Sequence, residues 1–166
     1  SHEFVSDSSV GETAYAVCPS CGWASTLEAA KTKLPEENIQ EVPLTKELVE
    51  TPNQKTIQEV SAFLKLPAEK FLKTLLYQNE AGKRLYVVLR GDDTVSEAKL
   101  KKFLGEEVTL IESDPLIGYI GPVDVPPDQI IADRLAVRLI NAVTGASAIH
   151  YHLRNVNYHR DWQAGR

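Results

Sequence analysis

The sequence predicts an α+β fold: a mixed, mostly antiparallel, barrel-like sheet flanked by short helices. Three observations lead there. Two stretches, Thr56-Ile57-Gln58-Glu59 and Thr94-Val95-Ser96-Glu97, have a capping-box pattern followed by apolar residues at helical spacing. Several short runs rich in β-branched and aromatic residues are bounded by Gly, Pro or Asn, as strands are. The two kinds of element mix without the regular strand–helix–strand repeat of a doubly wound sheet, and no internal repeat is visible.

Residues 1–50 read as an arm rather than a core, polar and without sustained periodicity. The opening Ser1-His2-Glu3-Phe4 has the character of a cloning remnant, residues 25–30 suit the start of a short helix, and residues 33–49 read as a proline-broken linker. The character changes at Thr51-Pro52-Asn53. Thr56 then caps a helix whose Ile57, Val60, Phe63 and Leu64 share one face, and Leu66-Pro67 stops it before a short turn at 67–70. Residues 73–77 and 84–90 read as two strands joined by the Ala81-Gly82 turn, a hairpin. Thr94 opens a second helix, through Leu100, Phe103 and Leu104, that Gly105 closes. Further strands are expected at 108–111, 129–132, 136–140 and 148–153.

The length of 166 residues suits one domain plus an arm, so the division expected is 1–50 for the arm and 51–166 for the domain. No stretch approaches the ~18–20 consecutive apolar residues of a membrane span, and no charged-then-apolar leader is present. The expectation is a cytoplasmic protein with no membrane partner. A net charge of −5 argues against a protein that grips nucleic acid by bulk electrostatics alone. Methionine is absent, which suggests a piece of a larger protein.

Three groups of residues could carry chemistry. In Leu116-Ile117-Gly118-Tyr119-Ile120-Gly121-Pro122-Val123, two glycines three apart let the backbone approach another molecule, with N–H groups available to an oxyanion, and Pro122 stiffens the exit. Lys73 begins an otherwise apolar strand, where it either snorkels to water or aims into a cleft. His150 and His152, two apart, would share one strand face, with His159 beyond. No carboxylate or cysteine accompanies these histidines at ligand spacing, so no metal site is expected. Cys18-Pro19-Ser20-Cys21 is half a zinc-ribbon pattern without its second pair; an inert knuckle is favoured over zinc or redox chemistry. No Gly-x-Ser-x-Gly elbow, phosphate loop or His-Glu-x-x-His occurs, so hydrolysis here would rest on positioning, electrostatics and water.

Several of these stretches together resemble one family. Thr51-Pro52-Asn53, Thr56-Ile57-Gln58-Glu59-Val60, Leu72-Lys73-Thr74-Leu75-Leu76, Arg90-Gly91-Asp92 and Gly118-Tyr119-Ile120-Gly121-Pro122-Val123 are similar to the editing domain inserted in bacterial prolyl-tRNA synthetase. So are Gly145-Ala146, His152, Asn155-Val156-Asn157 and Arg160-Asp161, in the same order. Phe4-Val5-Ser6-Asp7-Ser8 and Cys18-Pro19-Ser20-Cys21-Gly22-Trp23-Ala24 look like the lead-in from that enzyme's catalytic domain. The same deacylase superfamily includes free-standing trans-editing proteins, which normally lack the lead-in.

The resemblance implies an aminoacyl-tRNA deacylase that hydrolyses the ester of alanine on proline tRNA. It implies catalytic roles for Lys73, Gly118, Gly121 and His152, and substrate contacts at Thr51, Ile57, Val60, Tyr119, Ile120 and Pro122. Editing would need no metal and no cofactor, ATP belonging only to the absent ligase domain of the parent. The implied partners are the alanine-bearing acceptor end of tRNA and the catalytic and anticodon-binding domains of a homodimeric parent. Two rival functions are a free-standing trans-editing deacylase and a non-catalytic module binding the aminoacyl end. The chain departs from the family pattern at Ser147, where Asn is frequent, near Asp93, where His is frequent, and at Val60, where leucine is commoner. The shorter Val60 would widen the amino-acid pocket.

Overall fold

A computed structural model describes residues 14–27, 29, 30, 34 and 41–165. The chain divides into two compact units, Ser1–Lys33 and Leu34–Arg166. In the first, strands β1 (Tyr15–Val17) and β2 (Ala24–Thr26) pair antiparallel around the turn that carries Cys18 and Cys21. Thr26 therefore ends a strand, where a helix start was expected; its carbonyl then accepts from Ala29 and Ala30 in a turn. Ser1-His2-Glu3-Phe4, Phe4-Val5-Ser6-Asp7-Ser8, Glu28, and residues 33 and 35–40 of the expected linker lie outside the described residues.

The second unit runs β3 (Glu47–Glu50), α1 (Ile57–Leu64), β4 (Leu72–Asn79), β5 (Arg84–Arg90), α2 (Glu97–Leu104), β6 (Val108–Leu110), β7 (Ile130–Ala132), β8 (Ala142–Gly145) and β9 (Tyr151–Val156). Short 3-10 turns occupy Ala68–Lys70, Pro127–Gln129 and Ala136–Arg138. One sheet has the order β6-β4-β5-β7, the other β3-β9-β8. All strand pairs are antiparallel except β5 with β7. The α+β class holds, but the strands form two open sheets and no closed barrel.

The expected hairpin is β4 and β5, in register from Leu72 opposite Arg90 to Gln78 opposite Arg84. Period-two alternation sends Leu85, Val87 and Leu89 to one core with Leu100 of α2, and Val88 to the other with Ala142 and Val156. Each such buried side chain is worth about 1.5–3 kcal/mol relative to exposure. A third cluster, Val60, Phe71 and Val143, seats α1 where β4 begins, and a parallel bridge joins Phe71 to Val143.

The helix caps differ in one respect from expectation. At α1 the box is complete: Thr56 Oγ1 accepts from Glu59 N, and Glu59 Oε2 accepts from Thr56 N. At α2 the cap is Ser96, not Thr94; Ser96 Oγ accepts from Lys99 N, and Gly105 ends the helix in a left-handed conformation.

The C-terminal strands also differ. Residues 136–140, expected as a strand, form a 3-10 turn entered through Asp133, whose Oδ1 accepts from Leu135 N. The last strand begins at Tyr151, and His150 precedes it with φ of +71°. Residues 47–50, expected within the linker, pair with β9, Glu47 opposite Arg154. The stretch before them is tied down by side chains: Asn141 accepts from Leu44 N and donates to the Val42 carbonyl, Asn155 donates to the Thr45 carbonyl, and Arg160 donates to the Leu44 carbonyl. Among the described residues, no helix is long and apolar enough to cross a membrane.

Candidate functional site

One cavity of about 530 Å3 lies where α1, β4, β8, β9, the loop after β5 and the loop before Pro122 meet. Lys73, Gly118, His152, Ile57, Val60 and Ile120 of the sequence-derived set line it. Thr51, Tyr119, Gly121 and Pro122 do not; all four are buried.

The supports begin at Thr51, which is fully buried. Its N–H donates to the His150 carbonyl at 2.7 Å, and its hydroxyl lies 2.6 Å from His152 Nδ1. Asn53 N donates to His150 Nδ1 at 3.1 Å, so residues 51–53 are stitched to 150–152. His150 is outside the strand, so the two histidines do not share a strand face as expected. They meet instead at the buried Tyr119, whose ring lies edge-on to His150 at 5.7 Å and tilted to His152 at 5.8 Å.

His152 is 4% exposed. Burial pushes its imidazole down to about 4, opposed by a hydrogen bond to the Gly118 backbone. A neutral ring that donates to that backbone leaves Nδ1 to accept from the Thr51 hydroxyl. The histidine thereby links the buried threonine to the glycine loop.

The loop itself uses its glycines in two ways. Gly118 has φ of +92° and crosses Lys55 so closely that a Cβ would sit 2.7 Å from the Lys55 Cβ. Gly121 crosses β8: a Cβ there would fall 1.9 Å from the Gly145 carbonyl oxygen. Its N–H faces Ser147 Oγ at 3.4 Å, and Tyr119 N donates to Leu116 O. Among the described residues, the N–H groups of Gly118 and Ile120 have no protein acceptor, and both residues line the cavity. The glycine spacing indicated close backbone approach; which amides stay free depends on Ser147 and Leu116, and no spacing rule reveals that.

Lys73 extends from β4 and donates to the Asp93 carbonyl, bringing its charge to the wall formed by the loop after β5. Asp92 lies in the same wall. Arg90 holds it with a two-point fork, Nε to Oδ1 at 2.5 Å and Nη2 to Oδ2 at 2.7 Å. That fork keeps the Asp92 carboxyl below its usual range, and Lys73 adds to the effect. Lys55, Gln58, Asp92, Thr94, Thr144 and Gly145 line the cavity without having been assigned a role from sequence. Asp92 lay within the Arg90-Gly91-Asp92 motif and Lys55 directly before the Thr56 cap, signals that marked structure but not a cavity.

A family model, the aminoacyl-tRNA editing domain, matches residues 51–161. The chain belongs to this editing family. Curated relatives are proline–tRNA ligases: one from Thermoanaerobacter sp. (strain X514) is 36% identical over 99% of this chain, and one from Caldicellulosiruptor saccharolyticus is 39% identical over 95%. The chain spans 30% and 28% of their respective lengths. A solved structure described as a candidate trans-editing enzyme for prolyl tRNA synthetase superposes with a TM-score of 0.56 at 16% identity, covering 66% of this chain and 74% of that one; this likeness concerns the fold. The editing domain's matched region starts at Thr51, the residue that anchors His152.

In the other unit of the chain, Cys18 is half-buried and Cys21 exposed. Hydrogen bonding from the Cys21 backbone, then that of Ser20, lowers the Cys18 thiol. Among the described residues, no three His, Cys, Asp or Glu side chains converge as a metal-ligand group.

Proposed function

We propose that this editing domain hydrolyses the ester of alanine misattached to proline tRNA. The observation that carries the reading is the convergence of Lys73, His152 and the unpartnered amides of Gly118 and Ile120 on one cavity with an apolar end. The substrate's carbonyl carbon is attacked by the oxygen of a water molecule. Negative charge moves to the carbonyl oxygen, where the Gly118 and Ile120 amides receive it; one such donor is worth roughly 3–4 kcal/mol of barrier. The bond from that carbon to the ribose oxygen then breaks as a proton from the attacking water passes to that oxygen, leaving free alanine and the tRNA hydroxyl.

Each remaining residue has a position suited to this step. Lys73 supplies a positive charge for the ribose or terminal phosphate and braces the loop after β5 through Asp93. His152, neutral and held by Thr51, acts as a positioning residue for Gly118. Ile57, Val60 and Phe71 wall an apolar end suited to the alanine methyl, and in this reading the bulkier ring of proline is kept out there. Exclusion by size is the logic of a second sieve, since binding alone separates ligands by only ~1–3 kcal/mol per methylene. The mechanism calls on no metal or cofactor.

In this reading residues 1–50 are the lead-in and 51–166 the editing module of a longer, homodimeric proline–tRNA ligase in the cytoplasm. Its catalytic and anticodon-binding domains would hold the tRNA body and present only the acceptor end. The alignment supports the part of this reading that makes the chain a piece of a longer ligase, because nearly all of it matches 28–30% of each relative. Lys73→Ala tests the site. It abolishes release of alanine from Ala-tRNA while the circular dichroism spectrum stays that of the unaltered chain. Full activity in that variant removes Lys73 from the mechanism.

A further inference from the structure

The proposed substrate carries a charge that the residues discussed so far do not meet. An alanyl ester presents an α-ammonium two bonds from the reacting carbonyl carbon. Facing it, the cavity offers two lysines, Lys55 and Lys73, which repel a cation. Asp92 is the only acidic side chain among the described residues that line it.

Asp92 also stands at the right end. Its neighbour Gly91 packs against the apolar wall: a Cβ on Gly91 would fall 2.9 Å from Phe71 Cβ and 3.3 Å from Ile57 Cγ2. Asp92 is therefore one residue from backbone pressed against the pocket assigned to the alanine methyl. The α-carbon of alanine bears both the methyl and the ammonium, so one residue's separation between the two subsites fits.

The geometry is fixed in advance. The Arg90 fork occupies one position on each carboxylate oxygen and the residue's own backbone N–H takes another, so of about four acceptor positions roughly one stays open. The side chain keeps 30% of its exposure, and the residue lines the cavity. Arg90 thus orients Asp92 without using it up.

We infer that Asp92 receives the α-ammonium of the esterified amino acid, making it a specificity residue that selects aminoacyl esters over simple acyl esters. The inference rests on the deacylase reading above. Its test compares alanyl-tRNA with propionyl-tRNA, which keeps the methyl and lacks the nitrogen, each enzymic rate divided by its own uncatalysed rate. The unaltered chain should favour the alanyl ester by roughly tenfold to a hundredfold, the scale of a charge-assisted hydrogen bond. In Asp92→Asn the corrected ratio should collapse to about one.

A ratio near one in the unaltered chain overturns the inference without any variant, so a misfolded Asp92→Asn does not protect it. A ratio that persists in a folded Asp92→Asn, with both rates lowered together, also overturns it and leaves Asp92 as a structural partner of Arg90. Cleavage of neither ester by the unaltered chain is a different result: it removes the deacylase reading first, and this inference with it.

Discussion

At the scale of single residues, His152 shows how burial sets a protonation state. The residue is 4% exposed, with Nδ1 2.6 Å from the Thr51 hydroxyl, and burial disfavours the charged form. The folded-state value of about 4 lies below the ordinary 6.5, so the unfolded chain binds the extra proton first. The stability contributed is complete above the unfolded value and is lost as pH falls through the folded one. A shift of this size corresponds to about 3 kcal/mol. Urea unfolding between pH 7 and pH 4 should therefore show a decline that His152→Gln largely removes; equal slopes in both proteins would refute the assignment. The carboxylates lowered by their partners, Asp92 and Glu41 among them, lose their contribution at more acidic pH, so the histidine window is separable. Gly121 gives a second residue-scale prediction. An added methyl meets the Gly145 carbonyl, a backbone atom that cannot swing aside. Gly121→Ala should cost at least about 2 kcal/mol in denaturant unfolding and displace the loop, with deacylation lost. An unaltered stability would show that the crossing has slack.

At the scale of elements, α1 positions the pocket wall and rests on its cap. Glu59 Oε2 holds the N–H groups of both Lys55 and Thr56, so the cap also fixes the Lys55 backbone against Gly118. Thr56→Ala should cost about 1 kcal/mol and weaken substrate binding together with stability; a loss of stability alone would separate the cap from the site. This helix was legible in the sequence because the box and the apolar face are both local signals. The hairpin was legible for the same reason. Residues 47–50 were not, because what makes them a strand is distant: pairing with β9 and the latches from Asn141, Asn155 and Arg160. The resemblance quoted Asn155 and Arg160 but not Asn141, and only the fold shows that all three serve the backbone. Residues 136–140 looked like a strand on apolar content, yet Ala136 is buried in the turn itself and β8 starts after Asn141, at φ of +56°. Apolar runs this short do not distinguish a buried turn from a buried strand.

At the scale of the whole molecule, the site is assembled from chain segments far apart in sequence. Thr51, Lys73, Gly118 and His152 come together through two open sheets, and the hydrogen bond from Thr51 to His152 spans 101 positions. Sequence motifs named most of the cavity's residues; they did not divide them into those that face the substrate and those that hold the wall. That division came from tertiary crossings such as Gly121 over Gly145. The chain's net charge of −5 and its share of the relatives' length fit the proposal that the grip on tRNA lies elsewhere in a longer protein. The account is tested most directly by incubating the chain with Ala-tRNA and Pro-tRNA, both on proline tRNA, and following release of each amino acid. Alanine should be released over many turnovers while Pro-tRNA stays intact; equal release of both, or of neither, would contradict it.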